Sequence, residues 1–238
     1  MEKKKLTELN TEQDYLGLLS NYYNKLYQSE KHDSPDETRI SLIRRLVAEI
    51  GLRTNGIRIN ILNIGAGRQS LETQLASAHK DKDFYKQIIM FSMDRANLSA
   101  KSLLHKKSPF VRSDAQQEPF GNNSFDFVIS NMAIDFLPKK ALKEASRILK
   151  NDGIALFNFH HPDLFRYDSD NRYVQMAWDY MKRNNILYST EEEIVETLRE
   201  NNLEVISVER KYDKYKQDTW WEIKAKKIKQ SDSIVIKN

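Results

Sequence analysis

The chain has 238 residues, 39% hydrophobic and 30% charged, with a formal net charge of +4 and no cysteine. Such a length and composition suit one globular α/β unit with a real core and room for a small appended element. They exclude disulfides, thiolate zinc sites and a cysteine nucleophile, and the apolar runs are too short to span a bilayer. Met1-Glu2-Lys3-Lys4-Lys5 reads as lacking the apolar segment of a secretory signal, which together with the absent cysteines fits a cytoplasmic protein. Lysines also gather at Lys224, Lys226, Lys227 and Lys229. A mixed-sign surface with a lysine excess is the commoner meaning of that pattern, so nucleic acid is a disfavoured partner.

In chain order, Tyr15, Tyr22, Tyr23 and Tyr27 mark a tyrosine-rich N-terminal helix, and residues 1–34 read as a helical cap before a main unit at 35–238. Ser34-Pro35-Asp36-Glu37 reads as a helix start, with Ser34 capping, Pro35 in the first helical position and Glu37 completing a capping box. Ile40, Ile43, Leu46, Val47 and Ile50 then form one apolar stripe, and Asn55-Gly56 ends that unit. The run Ile61-Leu62-Asn63-Ile64 is a buried strand stopping at Gly65-Ala66-Gly67, where a Cβ at either glycine would stand in the way of a ligand. Leu71 to His79 is predicted as helix.

A second strand over Ile88 to Met93 ends at Asp94, a third around Phe110-Val111-Arg112 ends at Asp114, and a fourth over Phe125 to Ser130 ends at Asn131. Pro138 opens a helix with the stripe Leu142, Ala145, Ile148 and Leu149, with Lys150 in its last turn and Gly153 just beyond. Ile154 to Phe159 is a fifth strand. An insertion at about 163–188 carries Phe165, Tyr167, Tyr173, Met176, Trp178, Tyr180 and Met181, which suit a lid over an apolar acceptor, ordinary packing or a homodimer contact. Ser189-Thr190-Glu191-Glu192 reads as a capping box opening a helix that Asn201-Asn202 closes. Leu203 to Arg210 and Thr219 to Lys226 are two strands too closely connected to be anything but antiparallel. The fold class is therefore α/β: seven strands, mostly parallel, with an antiparallel C-terminal pair and helices on both faces.

Ligands of such sheets bind outside the carboxyl ends of the strands. Gly65, Asp94, Asp114 and Asn131 fall at four consecutive strand ends, a stronger signal than any one motif. A carboxylate closing the second strand can accept from both hydroxyls of a ribose, and one after the third can accept from an adenine amine.

On the segments LNIGAG, MFSMD, FVRSDAQQEPFGNNSFDFVISNMAIDFLP and ALKEASRILKNDGIALFNF, the chain resembles the class I S-adenosylmethionine-dependent methyltransferases. The likeness is greatest to the small-molecule group that includes the ubiquinone and sterol enzymes, and it runs from about Ile57 to Phe159. It implies a Rossmann-like fold and S-adenosyl-L-methionine as cofactor. Asn63, Gly65, Ala66 and Gly67 would line its amino-acid end, and Asp94, with Arg95 beside it, the ribose. Asp114 and Ala115 would meet the adenine edge, while Asn131 and Met132 would sit by the sulfonium. Asn63 stands where the family usually has Asp or Glu, and Gln69 occupies the usual third glycine. In related enzymes an N-terminal segment folds over the cofactor, which points to Tyr23 and Tyr27.

Methyl transfer to an oxygen or nitrogen needs alignment, dryness and often a base. His160 and His161, at the mouth of the fifth strand, are the candidate bases, with a structural role before Pro162 as the alternative. Asp135 is a candidate on the substrate side or a local cap, and no metal is expected. The expected partner is a small-molecule acceptor, with a homodimer open. Alternatives are RNA methylation (against it, Ser130-Asn131-Met132-Ala133 stands where an N-P-P-Y-like segment is absent), a partner protein without turnover, and a nicotinamide-dependent oxidoreductase.

Overall fold

The structure, a computed structural model, describes residues 9–26, 36–53, 57–79, 82–98, 103–105, 107–162, 172–186, 188–213 and 218–228. The elements begin with α1 (Glu12–Leu26), α2 (Glu37–Gly51), β1 (Ile59–Ile64), α3 (Ser70–His79), α4 (Asp83–Lys86), β2 (Ile88–Asp94), β3 (Phe110–Arg112) and β4 (Phe125–Asn131). A short 3₁₀ turn (Ile134–Phe136) comes next, then α5 (Lys140–Ile148), β5 (Leu149–His160), α6 (Arg172–Arg183), α7 (Glu191–Glu200), β6 (Leu203–Asp213) and β7 (Asp218–Lys227).

The seven strands form one sheet in the order β3-β2-β1-β4-β5-β7-β6, parallel from β3 to β5 and antiparallel where β7 inserts between β5 and β6. Chain direction reverses its progress across the sheet between β1 and β4, which opens a crevice at their carboxyl ends. Alternation along the strands divides the core. Ile59 and Ile61 of β1 face one side with Leu42, Leu46 and Ile50 of α2, while Leu62 and Ile64 face the other with Leu142, Ala145 and Ile148 of α5. A third apolar cluster joins α1 and α6 through Tyr15, Leu16, Tyr180, Met181 and Phe136.

Three local readings are corrected. The cap of α2 is Asp36, whose carboxylate accepts the Arg39 N–H at 2.9 Å, so the helix starts at Glu37; Ser34 and Pro35 lie outside the described residues. A carboxylate at the cap also favours the positive end of the helix. Leu149 and Lys150 belong to β5 rather than to α5. Leu149 pairs with Phe125, and the Lys150 ammonium reaches the Asp126 carboxylate at 2.8 Å, so sheet pairing takes these residues from the helix. The capping box is Thr190 with Glu193, one residue later than Ser189 with Glu192, because the Glu193 carboxylate collects the N–H groups of both Ser189 and Thr190. Asn202 adopts the left-handed conformation (φ 59) just past α7, as its closing role requires. Asn55-Gly56 lies outside the described residues.

The insertion contains α6, whose Ala177, Tyr180 and Met181 are buried against α1. No helix among the described residues is long and apolar enough to cross a membrane.

Candidate active site

β1 delivers the chain to its carboxyl end at Ile64, where the backbone turns sharply. Gly65 (φ 72) and Gly67 (φ 52) both occupy the left-handed region. The N–H groups of Gly65 and Ala66 both donate to the Met93 carbonyl, at 2.8 and 3.0 Å, which ties the turn to β2. A Cβ on Gly65 would lie 2.2 Å from the Ala133 Cβ. The glycine is therefore demanded by the loop after β4 as well as by any ligand, which adds to the reason expected from the sequence.

Around this turn lies a cavity of about 350 Å³, within the range of small-molecule sites. Asn63, Gly65, Ala66 and Gly67 line it from β1 and the turn, and Asp94 and Arg95 from the end of β2. Asp114 and Ala115 line it after β3, Asn131 and Met132 at the end of β4, and Tyr23 from α1. The Asp94 carboxylate accepts the Gly67 N–H at 2.8 Å through one oxygen and the Ala96 N–H at 2.7 Å through the other. Burial raises its pKa from the usual carboxylate value, opposed by those N–H bonds. Each oxygen keeps a lone pair for a ribose hydroxyl. Asp94 thus also holds the turn together, a structural duty that a strand-end position does not reveal. Asp114 accepts the Gln116 N–H at 2.9 Å and pairs with Arg95 at 3.3 Å, which ties the ends of β2 and β3 together. Asn131 bridges Asn158 and Thr38, at 2.8 and 3.0 Å.

His160 lines the cavity at the end of β5. Its ring stacks on Phe136 at 3.9 Å between centroids, and its Nδ1 lies 2.8 Å from Asp135 Oδ2, which also accepts the His160 backbone N–H at 2.6 Å. A carboxylate accepts, so the network assigns a proton to Nδ1, and in the neutral tautomer this selects, Nε2 is the basic nitrogen. Asp135 is 2% exposed and lies outside the cavity lining, with its carboxylate on His160. His161 projects to the other side of β5, where its ring lies 5.5 Å from that of Trp221, and it does not line the cavity. A base at His161 is therefore not supported by its placement, since just past the end of β5 its ring lies by Trp221 and not among the cavity-lining residues. Tyr27 lies outside the described residues.

Several lining residues escaped the sequence reading: Asp36, Thr38 and Arg39 at the start of α2, and Asp213 and Trp220. Topology held the signal. A helix feeding a parallel strand starts at the carboxyl edge, and the antiparallel β7 begins there, with Trp220 paired to His160 in the ladder. Arg45 of α2 anchors this wall by donating to the Ile223 carbonyl at 3.0 Å and to the side chain of Asn158, with Glu222 at 3.5 Å. Burial lowers the pKa of that guanidinium from its ordinary value, opposed by the Glu222 charge.

The donor set fits S-adenosylmethionine: the Asp94 carboxylate, the bare-backbone turn at Gly65 and Gly67, and Asp114 with Ala115 all line the cavity. Residues 62–157 match the family described as a methyltransferase domain. Over 145 residues the chain is 29% identical to a protein of Rickettsia prowazekii named ubiquinone/menaquinone biosynthesis C-methyltransferase, a match covering 57% of this chain and 58% of that protein. The fold aligns with the 1,6-didemethyltoxoflavin-N1-methyltransferase of Burkholderia thailandensis at a TM-score of 0.68 and 16% identity, over 94% of this chain and 93% of that one. It aligns with phosphoethanolamine N-methyltransferase 2 of Haemonchus contortus at a TM-score of 0.61 and 16% identity, over 93% of this chain and 61% of that one. At those identities the two structures establish a shared fold. With the family match over the segment that builds the turn and its companion strand ends, the chain is similar to the class I S-adenosylmethionine-dependent methyltransferases in fold and in that segment.

Proposed function

We propose that the chain transfers a methyl group from S-adenosylmethionine to an oxygen or nitrogen of a small organic acceptor, with His160 as the base. The observation that carries this reading is the buried His160–Asp135 pair at the edge of the cavity. The cofactor supplies a methyl group already activated on a sulfonium, so the protein's work is alignment, exclusion of water and movement of one proton. Asp94 receives the ribose, Asp114 and Ala115 the adenine edge, and Asn131 and Met132 the region of the sulfur. Leu16, Leu19, Phe136 and Leu137 supply apolar wall that keeps water from the acceptor. His160 Nε2 takes the proton released by the nucleophile, while Asp135 stabilises the imidazolium that results.

Residues 1–34 act in this reading as a cap, supported by Tyr23 in the cavity wall. The partner is a small molecule, a second copy of the chain is allowed, and a cytoplasmic setting suits the cysteine-free composition. A second reading, methylation of an activated carbon, is favoured by the activity for which the Rickettsia relative is named. Both use the same base, since an acidic C–H must also lose a proton.

Methyl transfer to phenol, amine and activated-methine acceptors, with mass spectrometry of the products, separates the two. His160→Ala is expected to lower kcat by about 10²–10⁴-fold, the usual worth of a general base, while S-adenosylhomocysteine affinity stays within about twofold. Full activity in that variant would remove His160 from the mechanism, and methylation of carbon alone would favour the second reading.

A further inference from the structure

Beneath the glycine turn, four buried side chains from three elements and the turn form one connected network. Asn63 of β1 donates through Nδ2 to Glu72 Oε1 at 2.9 Å, and Ser92 Oγ of β2 donates to the same oxygen at 2.6 Å. Gln69 Nε2 donates to Ser92 Oγ at 3.0 Å and to the Ser108 carbonyl at 3.1 Å. Glu72, in the first turn of α3, is 1% exposed, and Asn63 is 2% exposed. Nothing in the transfer chemistry above uses Glu72.

Its consequence lies at Asn63. A side-chain amide is planar, with its donor nitrogen and acceptor oxygen diverging from one carbon. Glu72 accepts and cannot direct a second oxygen at itself, so it fixes Nδ2 inward. Asn63 lines the cavity beside Gly65 and Gly67, and with its Nδ2 engaged by Glu72 the amide atom left to meet a ligand is the carbonyl oxygen. That oxygen accepts and never donates. With adenine at Asp114 and ribose at Asp94, the amino-acid end of the cofactor falls against this turn. Its carboxylate suits the backbone N–H groups at the start of α3, and its ammonium needs an acceptor.

We propose that Glu72 is a positioning residue that locks the Asn63 amide so that its carbonyl oxygen accepts from the ammonium group of the cofactor. The inference rests on the cofactor reading above. A neutral amide backed by a buried carboxyl then does the work of a single acidic residue at position 63. The Gln69–Ser92 branch holds Glu72 from the other side.

Calorimetry on the full chain with two probes tests it. S-adenosylhomocysteine carries the amino-acid end; 5′-methylthioadenosine shares adenine, ribose and thioether but lacks it. Glu72→Leu is expected to weaken S-adenosylhomocysteine by about 10–100-fold, the effect of losing one charge-assisted bond, with 5′-methylthioadenosine within about twofold. Glu72→Gln, whose amide oxygen can accept from the same two donors, should recover most of the loss. Equal weakening of both probes, or of neither, would overturn the role of Glu72. If Glu72→Leu does not fold, Asn63→Ala is read the same way: loss confined to S-adenosylhomocysteine supports the assignment and equal loss overturns it. Wild-type protein that binds neither probe would overturn the cofactor reading itself, which is a distinct result.

Discussion

Gln69 carries a side chain at φ 68, a left-handed conformation that costs about 1–2 kcal/mol. Its amide nitrogen returns two buried hydrogen bonds, each contributing about 1 kcal/mol, and its chain fills space in the core. Gln69→Gly relieves the first and forfeits the rest, leaving the Ser108 carbonyl without that donor. Urea unfolding should show a net loss of about 1–2 kcal/mol; a stabilised glycine variant would show that the network does not matter. Asp94→Asn sets an amide nitrogen against one of two backbone N–H donors, so it should lower stability by about 1–2 kcal/mol as well as weaken cofactor binding. The cavity-lining residues at the strand ends were legible because an apolar strand must stop somewhere, and the residues just past its end face the crevice. Glu72 was not. A glutamate in the first turn of a helix has an ordinary reading as a surface charge favoured by the dipole, and only the packing of α3 over β1 and β2 buries it. Asp135 and His161, for a related reason, do not line the cavity: sequence gives adjacency, while the backbone path decides contact.

At the scale of elements, α1 and α6 pack on each other, and α1 lines the cavity through Leu16, Leu19, Ser20 and Tyr23. The Tyr15 hydroxyl donates to the Phe136 carbonyl at 2.6 Å, and its ring stacks on Tyr180 at 4.5 Å. Burial pushes the Tyr15 pKa far above its usual range, so that hydroxyl stays protonated and a donor. Tyr15→Phe should cost about 0.5–1.5 kcal/mol and Tyr15→Ala about 3–5 kcal/mol, measured by thermal or urea unfolding. A negligible loss in the alanine variant would mean that the two helices are not packed as described. Strand positions were read well from apolar runs, whereas helix ends were not. Ser189-x-x-Glu192 and Thr190-x-x-Glu193 satisfy the same capping rule, and only the backbone path chooses between them. Leu149 fits the end of a helical stripe and the start of a strand equally well until its pairing with Phe125 is known.

For the whole molecule, the two apolar layers flanking the sheet come from alternation within strands, but the sheet order required the fold. Nothing local says that β7 lies between β5 and β6, and that placement is what brings Trp220 beside His160. Global stability carries a pH signature from Glu118. This side chain is 5% exposed with neither oxygen hydrogen-bonded. Burial, then the charge of Glu144, push its pKa up to about 8 from 4.5, with Arg147 pulling the other way. The folded state therefore holds a proton that the unfolded chain releases between those values. This contribution is complete below the unfolded pKa and is lost as pH rises through the folded one. Glu118→Gln should flatten that slope and raise stability at pH 8 by about 1–3 kcal/mol, read from urea midpoints across pH 5–8. An unchanged slope would assign it to other groups.

Calorimetric titration of the full chain with S-adenosylhomocysteine and, separately, with NAD tests the assignment most directly. Saturable binding of S-adenosylhomocysteine is expected, about tenfold or more weaker in Asp94→Asn, with NAD weaker or silent. No binding of S-adenosylhomocysteine, or tighter binding of NAD, would contradict it.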